Sequence, residues 1–176
     1  MTFNFYLKDL GTSGDRWGEG DRYVIGTEMK GLFDLVCADP NCQFSDSDFW
    51  WDPAAGSALT VIIYFVDNHA GSVLRTIRPN SPLGPGGTTL VSGGGNLSEV
   101  YLSAAAGQSD TAPALARLAF HESMHNLLNR GQSLHGVGGG GLASEIIFAN
   151  TNLTQANINL LAPAVSNTPA QNTSFL

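Results

Sequence analysis

The segment TAPALARLAFHESMHNLLNR, Thr111 to Arg130, restricts the fold more than any other part of the chain. Asp110 or Thr111 can cap its start, and Pro113 falls in the first turn, where a missing N–H costs nothing. Gly131 supplies a stop. Between these signals the pattern predicts one long helix. Leu115, Leu118 and Phe120 precede the string HESMH, and Met124, Leu127 and Leu128 interleave with it. A helix apolar on most of its faces is buried. His121, Glu122 and His125 are then carried inside with it, and buried polar groups need partners.

A metal ion would partner all three. Residues four apart on a helix share a face, with Cβ atoms about 5–6 Å apart. Imidazoles placed at His121 and His125 can both reach one zinc at about 2.0–2.1 Å. Glu122 lies beside the pair, where it can hold a water at the metal and take its proton. A catalytic zinc takes three protein ligands and keeps one position open. His135, just past the helix stop, is the preferred third ligand, because a short return loop is cheaper to close than a long one. The glycine run after it, GVGGGG, then reads as a flexible connection beyond the ligand. Glu145, within SEIIFA, is the alternative, and His69 is a more distant one.

With HExxH on a helix, the chain resembles the zincin metallopeptidases. The resemblance is specific at His121, Glu122 and His125, and more general over roughly Leu59 to Val165. It implies a small α+β domain in which a mixed sheet packs on the HExxH helix and a C-terminal helix follows. It also implies a zinc-dependent endopeptidase acting on a protein or peptide, with Zn2+ held by His121, His125 and His135 and with Glu122 as general base. An edge strand commonly lies along the substrate in zincins, and EVYLS, Glu99 to Ser103, is the candidate. Tyr101, or a backbone N–H near it, is the candidate second stabiliser of the oxyanion. In the metzincin branch Leu128 stands where a glycine is expected and Gly131 where the third ligand is expected. No methionine follows His125, although GGLAS could occupy the place of the methionine turn, with Ala143 at its centre. The chain thus resembles a divergent, metzincin-like relative. In the thermolysin-like branch Glu145 has the right spacing, but Ser144 and Ala149 stand where Asn and Asp are expected. The alternative from the same residues is a zinc-containing binding or structural module without turnover.

Elsewhere the pattern predicts strands at Thr2–Leu10, Leu59–Val66, Thr88–Val91 and EVYLSA. SVLRTI reads as the continuation of the Leu59–Val66 strand or as the next strand, and Tyr23–Val36 as a strand and short helix interrupted by Gly26 and Gly31. Gly11–Gly20 reads as a loop. Cys37–Gly56 reads as irregular, with Phe49, Trp50 and Trp51 as a satellite cluster over one end of the core. The loop PNSPLGPGGTTLVSGGGN is a candidate wall of the cleft. A last helix starts at the cap Thr154, shows an apolar stripe of Ile158, Leu161 and Ala162, and ends or kinks at Pro163. Residues 166–176 form a polar tail, loose except for its last two residues. The whole, 1–176, is expected to be a single domain, strands first and helices after.

Composition excludes some partners. A net charge of −7 with eight scattered basic residues offers no positive stripe for a nucleic-acid backbone. No apolar run is long enough for a membrane span. The opening MTFNFYLKDLGTSG does not read as a signal peptide, which leaves a cytoplasmic protein, export by a leaderless route, or a leader outside this sequence. Cys37 and Cys42 suit either a disulfide or free thiols. Oligomeric state is not legible.

Overall fold

In a computed structural model, residues 1–11, 19–54, 59–105 and 110–176 are described. The strands are β1 (Thr2–Asp9), β2 (Asp46–Trp51), β3 (Ile62–Val66), β4 (Gly87–Leu90) and β5 (Leu97–Tyr101). The helices are α1 (Glu19–Cys37), α2 (Leu74–Ile77), α3 (Thr111–Leu127), α4 (Ser133–Val137) and α5 (Gln155–Val165). This is an α+β chain with a five-stranded mixed sheet in the order β2-β1-β3-β5-β4. The first four strands in that order run parallel, and β4 runs antiparallel to β5.

Both faces of the sheet are covered, which is why β3 reads as a continuous apolar run instead of an alternation. Ile63 and Phe65 face the larger core with α1, α3 and α5, while Ile62 and Tyr64 face a smaller one with Leu74 and Leu97. Phe33 of α1 joins the layers of the larger core. Its ring lies 5.0 Å from Phe3, 4.9 Å from Phe5 and 4.7 Å from Phe120. Phe120 immediately precedes His121, so this aromatic contact anchors the helix turn that carries His121, Glu122 and His125.

Several elements differ from the sequence expectation. Residues 12–18 of the expected loop lie outside the described residues. Glu19–Cys37 is one helix, not a strand and a short helix. Gly26 does not break it. A Cβ there would come within 2.1 Å of the Phe49 ring, so the glycine lets α1 lie directly on β2. β2 replaces the expected irregular stretch: Phe49 and Trp51 pack on the core, and Trp50 is exposed. SVLRTI contains the short helix α2, whose start meets the buried Glu99 carboxylate through the N–H groups of Val73 (3.0 Å) and Leu74 (3.4 Å). Pro163 sits inside α5 without ending it. The tail is tied down: Gln171 bridges Asn96 and pairs with Asn126, and Phe175 packs edge-on against Tyr64. Cys37 and Cys42 are free thiols, and the Cys37 thiol is pushed up to about 12, chiefly by burial and further by Cys42.

Candidate metal centre

α3 forms as expected, although Asp110 at its N-cap makes no side-chain cap bond. It ends at Leu127, four residues before Gly131. Asn129 takes the left-handed conformation (φ 53°), Asn129 N–H donates to Asn126 O (3.1 Å), and Arg130 N–H donates to His125 O (3.0 Å). This is a Schellman turn with asparagine in the glycine's place. Its exit carbonyl serves the site, because Arg130 O accepts from His125 Nδ1 at 2.8 Å.

The His121 Nδ1 partner comes from further along. Gly139, Gly140 and Gly141 all have positive φ, and a Cβ at Gly141 would meet Thr154 and Asn152 at 2.5–2.6 Å. The run is thus a built turn, not the expected flexible connection. The Asn157 amide holds it, donating to Gly138 O (2.6 Å) and Gly140 O (3.0 Å) and accepting from Leu142 N–H (3.2 Å). Asn157 is also the partner of Thr154 in the capping box that starts α5. Leu142 O, in the 3-10 turn Gly141–Ala143, then accepts from His121 Nδ1 at 2.7 Å.

These two contacts fix the protons. A carbonyl only accepts, so both Nδ1 atoms carry hydrogen. Neutral rings therefore present bare Nε2 lone pairs, and those atoms lie 3.1 Å apart. Burial keeps the rings neutral. It depresses His121 to about 3, with His125 and His135 adding to the effect, and it lowers His125 as well. Two facing lone pairs repel unless a cation lies between them. The separation is close to the edge of a tetrahedron built on bonds of about 2.0–2.1 Å, roughly 3.3 Å.

His135 joins them from α4, a short helix where a return loop is expected. Its ring centroid is 5.4 Å from that of His121 and 5.1 Å from that of His125. Its Nε2 is buried without a hydrogen-bond partner, an arrangement that is costly for a polar atom. One ligand atom from each of the three rings lies within 4.8 Å of the other two, close enough to hold a metal ion. Glu145 lies in an irregular segment, exposed on the rim of the same cleft and outside this cluster. His69 is exposed, bonded to Gly84 O at 2.9 Å, and also outside it.

Glu122 is buried beside the histidines. Burial pushes its carboxyl up to about 8, against the opposing hydrogen bond from Thr89 and with a small push from Glu99. Thr89 Oγ1 donates to Glu122 Oε2 at 2.6 Å. A cleft of about 410 Å³ opens over the site. It is walled by Pro82–Thr89, as expected of that loop, and by Leu118, Gln132 and Ile147. β5 does not form the sheet edge expected of it, because β4 covers it and is itself the terminal strand. Tyr101 is not available to an oxyanion. It is fully buried, and its hydroxyl contacts Glu99 Oε1 (2.6 Å) and Thr88 Oγ1 (3.1 Å).

Sequence reasoning missed Thr89, Gly87, Asn157 and the two orienting carbonyls. Only the glycine-rich spacing around Gly138–Gly141 hinted at a tight turn. Among the described residues no helix is long and apolar enough to cross a membrane. No protein-family model, curated protein or solved structure matches the chain, so the site is argued from its own residues.

Proposed function

We propose that the chain is a zinc-dependent endopeptidase of the zincin type, divergent and metzincin-like. The observation that carries this reading is the pair of bare Nε2 atoms 3.1 Å apart, with the orphaned His135 Nε2 beside them and a buried carboxylate on the next residue. An all-imidazole donor set suits zinc, copper, iron or nickel. HExxH on one helix favours zinc with a glutamate base.

The chain's residues divide the work. His121, His125 and His135 would hold the ion, and the Leu142 and Arg130 carbonyls hold two of the rings in the right tautomer. Bound zinc would supply a polarised scissile carbonyl and a more acidic water. Glu122 accepts a proton from the attacking water and delivers it to the leaving amine. The substrate-aligning edge passes from β5 to β4. β4 ends the sheet and lines the cleft through Gly87, Thr88 and Thr89, so an extended peptide can lie along it. The Gly141–Ala143 turn stands in the chain where a metzincin would have its methionine turn, and it supports His121 through a backbone carbonyl.

The test is elemental analysis followed by cleavage of casein and a mixed peptide library, with and without chelator. We expect about one zinc per chain, chelator-sensitive hydrolysis, and in Glu122→Gln a loss of about 100-fold or more with zinc retained. Zinc without hydrolysis across that panel would replace this reading by a zinc-containing binding module. Undiminished hydrolysis in Glu122→Gln would remove the glutamate from its role.

A further inference from the structure

The geometry assigns Thr89 a role the motif does not contain: seated by Ser98 and Asn126, it is the positioning residue that fixes Glu122 Oε2 and leaves Oε1 for the cleft. Proton accounting carries the assignment. Asn126 is fully buried on α3, and its amide is oriented by a paired contact with Gln171: Gln171 Nε2 donates to Asn126 Oδ1 (2.7 Å) and Asn126 Nδ2 donates to Gln171 Oε1 (3.1 Å). The second hydrogen on Asn126 Nδ2 goes to Ser98 Oγ at 2.9 Å. Ser98 thus spends an acceptor site on the amide, and its one proton is free for Thr89 Oγ1 at 2.9 Å or, at longer range, Glu122 O at 3.3 Å. Thr89 in turn has one proton. It is 2.6 Å from Glu122 Oε2 and 3.0 Å from Glu122 O, so the shorter contact takes it. One chain of donors therefore runs from Gln171 Nε2 through Asn126 Nδ2 and Ser98 Oγ to Thr89 Oγ1 and the carboxylate, while the other Asn126 Nδ2 hydrogen returns to Gln171 Oε1.

Glu122 Oε1 has no hydrogen-bond partner among the described residues, and Glu122 lines the cleft. Gly87 leaves it room: a Cβ there would lie 2.7 Å from Glu122 Oε1. One oxygen is held and the other is open, as a base that must meet a water requires. The catalytic consequence rests on the peptidase reading; the placement of the carboxylate does not.

The experiment compares zinc-loaded wild type, Thr89→Val, Thr89→Ser and Ser98→Ala. Thr89→Val keeps the shape and loses the hydroxyl. We expect its kcat to fall about 10–100-fold, with KM within about twofold and zinc affinity, by chelator competition, within about threefold. Thr89→Ser restores kcat to within about threefold of wild type, which a merely structural role would not require. Crystal structures supply the second readout: in Thr89→Val the Glu122 carboxylate leaves its place or splits between rotamers. A carboxylate unmoved in that variant, or kcat equal to wild type, overturns the inference. Should Thr89→Val not fold, Ser98→Ala decides by the same two readouts. If wild type hydrolyses nothing, the peptidase reading falls, and the position of Glu122 in the variant crystals still judges the role of Thr89.

Discussion

Gly87 shows how much of the site depends on an absent side chain. A Cβ at this position would lie 2.7 Å from Glu122 Cγ, from Glu122 Oε1 and from the Glu99 carbonyl. The carbonyl belongs to the neighbouring strand and cannot yield, so the carboxylate must. Gly87→Ala is expected to reduce hydrolysis by about 100-fold, the scale of a lost general base, while elemental analysis still finds zinc; normal turnover would show that the carboxylate has another way to sit. The third ligand is tested in the same manner. His135→Ala should weaken zinc binding by about 10-fold or more, and Glu145→Ala should leave it unchanged, both by competition against a chromogenic chelator. The reverse result would move the ligand to the rim. At this scale the sequence was most informative where a motif lies on one turn of helix, as with His121, Glu122 and His125. Thr89 was invisible because it reaches Glu122 from 33 residues away, through a strand pairing that no local pattern encodes.

At the scale of elements, the misread segments share one cause: contacts distant in the chain outweighed local propensity. α1 contains two glycines that argue against a helix, yet Phe49 fills the space Gly26 leaves. β2 was hidden by its irregular surroundings, and Asp34 of α1 fastens it to that helix. That carboxylate accepts from Ser47 N–H at 2.8 Å and Ser47 Oγ at 2.7 Å, and its other oxygen meets Lys30 Nζ at 2.6 Å. Burial alone would raise the Asp34 pKa, but the hydrogen bonds from Lys30 and Ser47 outweigh it and hold it below the ordinary value of 3.8. The folded state therefore binds this proton less readily than the unfolded one. The stabilisation is complete above the unfolded pKa and is lost as pH falls through the depressed folded value. Asp34→Asn should melt below wild type near neutral pH, and the gap should close as pH falls through the depressed folded value. A gap that persists in acid would mean that the α1–β2 staple depends on shape and not on the charge of Asp34.

For the whole molecule, the α+β class was legible because periodicity and caps mark α3 and α5, while the branched and aromatic run marks β3. The strand order and the built glycine turn were not legible, since both depend on pairings between distant segments. Those pairings make the metal a stability question. The candidate ligands come from α3 and α4, and the orienting carbonyls of two of them come from the turn between those helices and from the turn that Asn157 ties to α5. An ion held there would join α3 to α4, beside the turn whose Leu142 carbonyl holds the His121 ring. An ion that binds only the folded state stabilises it by about 2.7 kcal/mol at a free concentration 100 times its dissociation constant. Metal-free protein should therefore melt lower than the zinc-loaded form, and zinc should restore the difference in proportion to the logarithm of its free concentration. Hydrogen exchange should report the added protection mainly between Asn126 and Leu142. His135→Ala should melt like the metal-free wild type and lose the response to zinc. A well-folded wild type whose melting temperature ignores zinc throughout that titration would mean that the three imidazoles do not close on zinc. Their bare nitrogens would then need another source of positive charge, and among the residues lining the cleft there is neither lysine nor arginine to provide it.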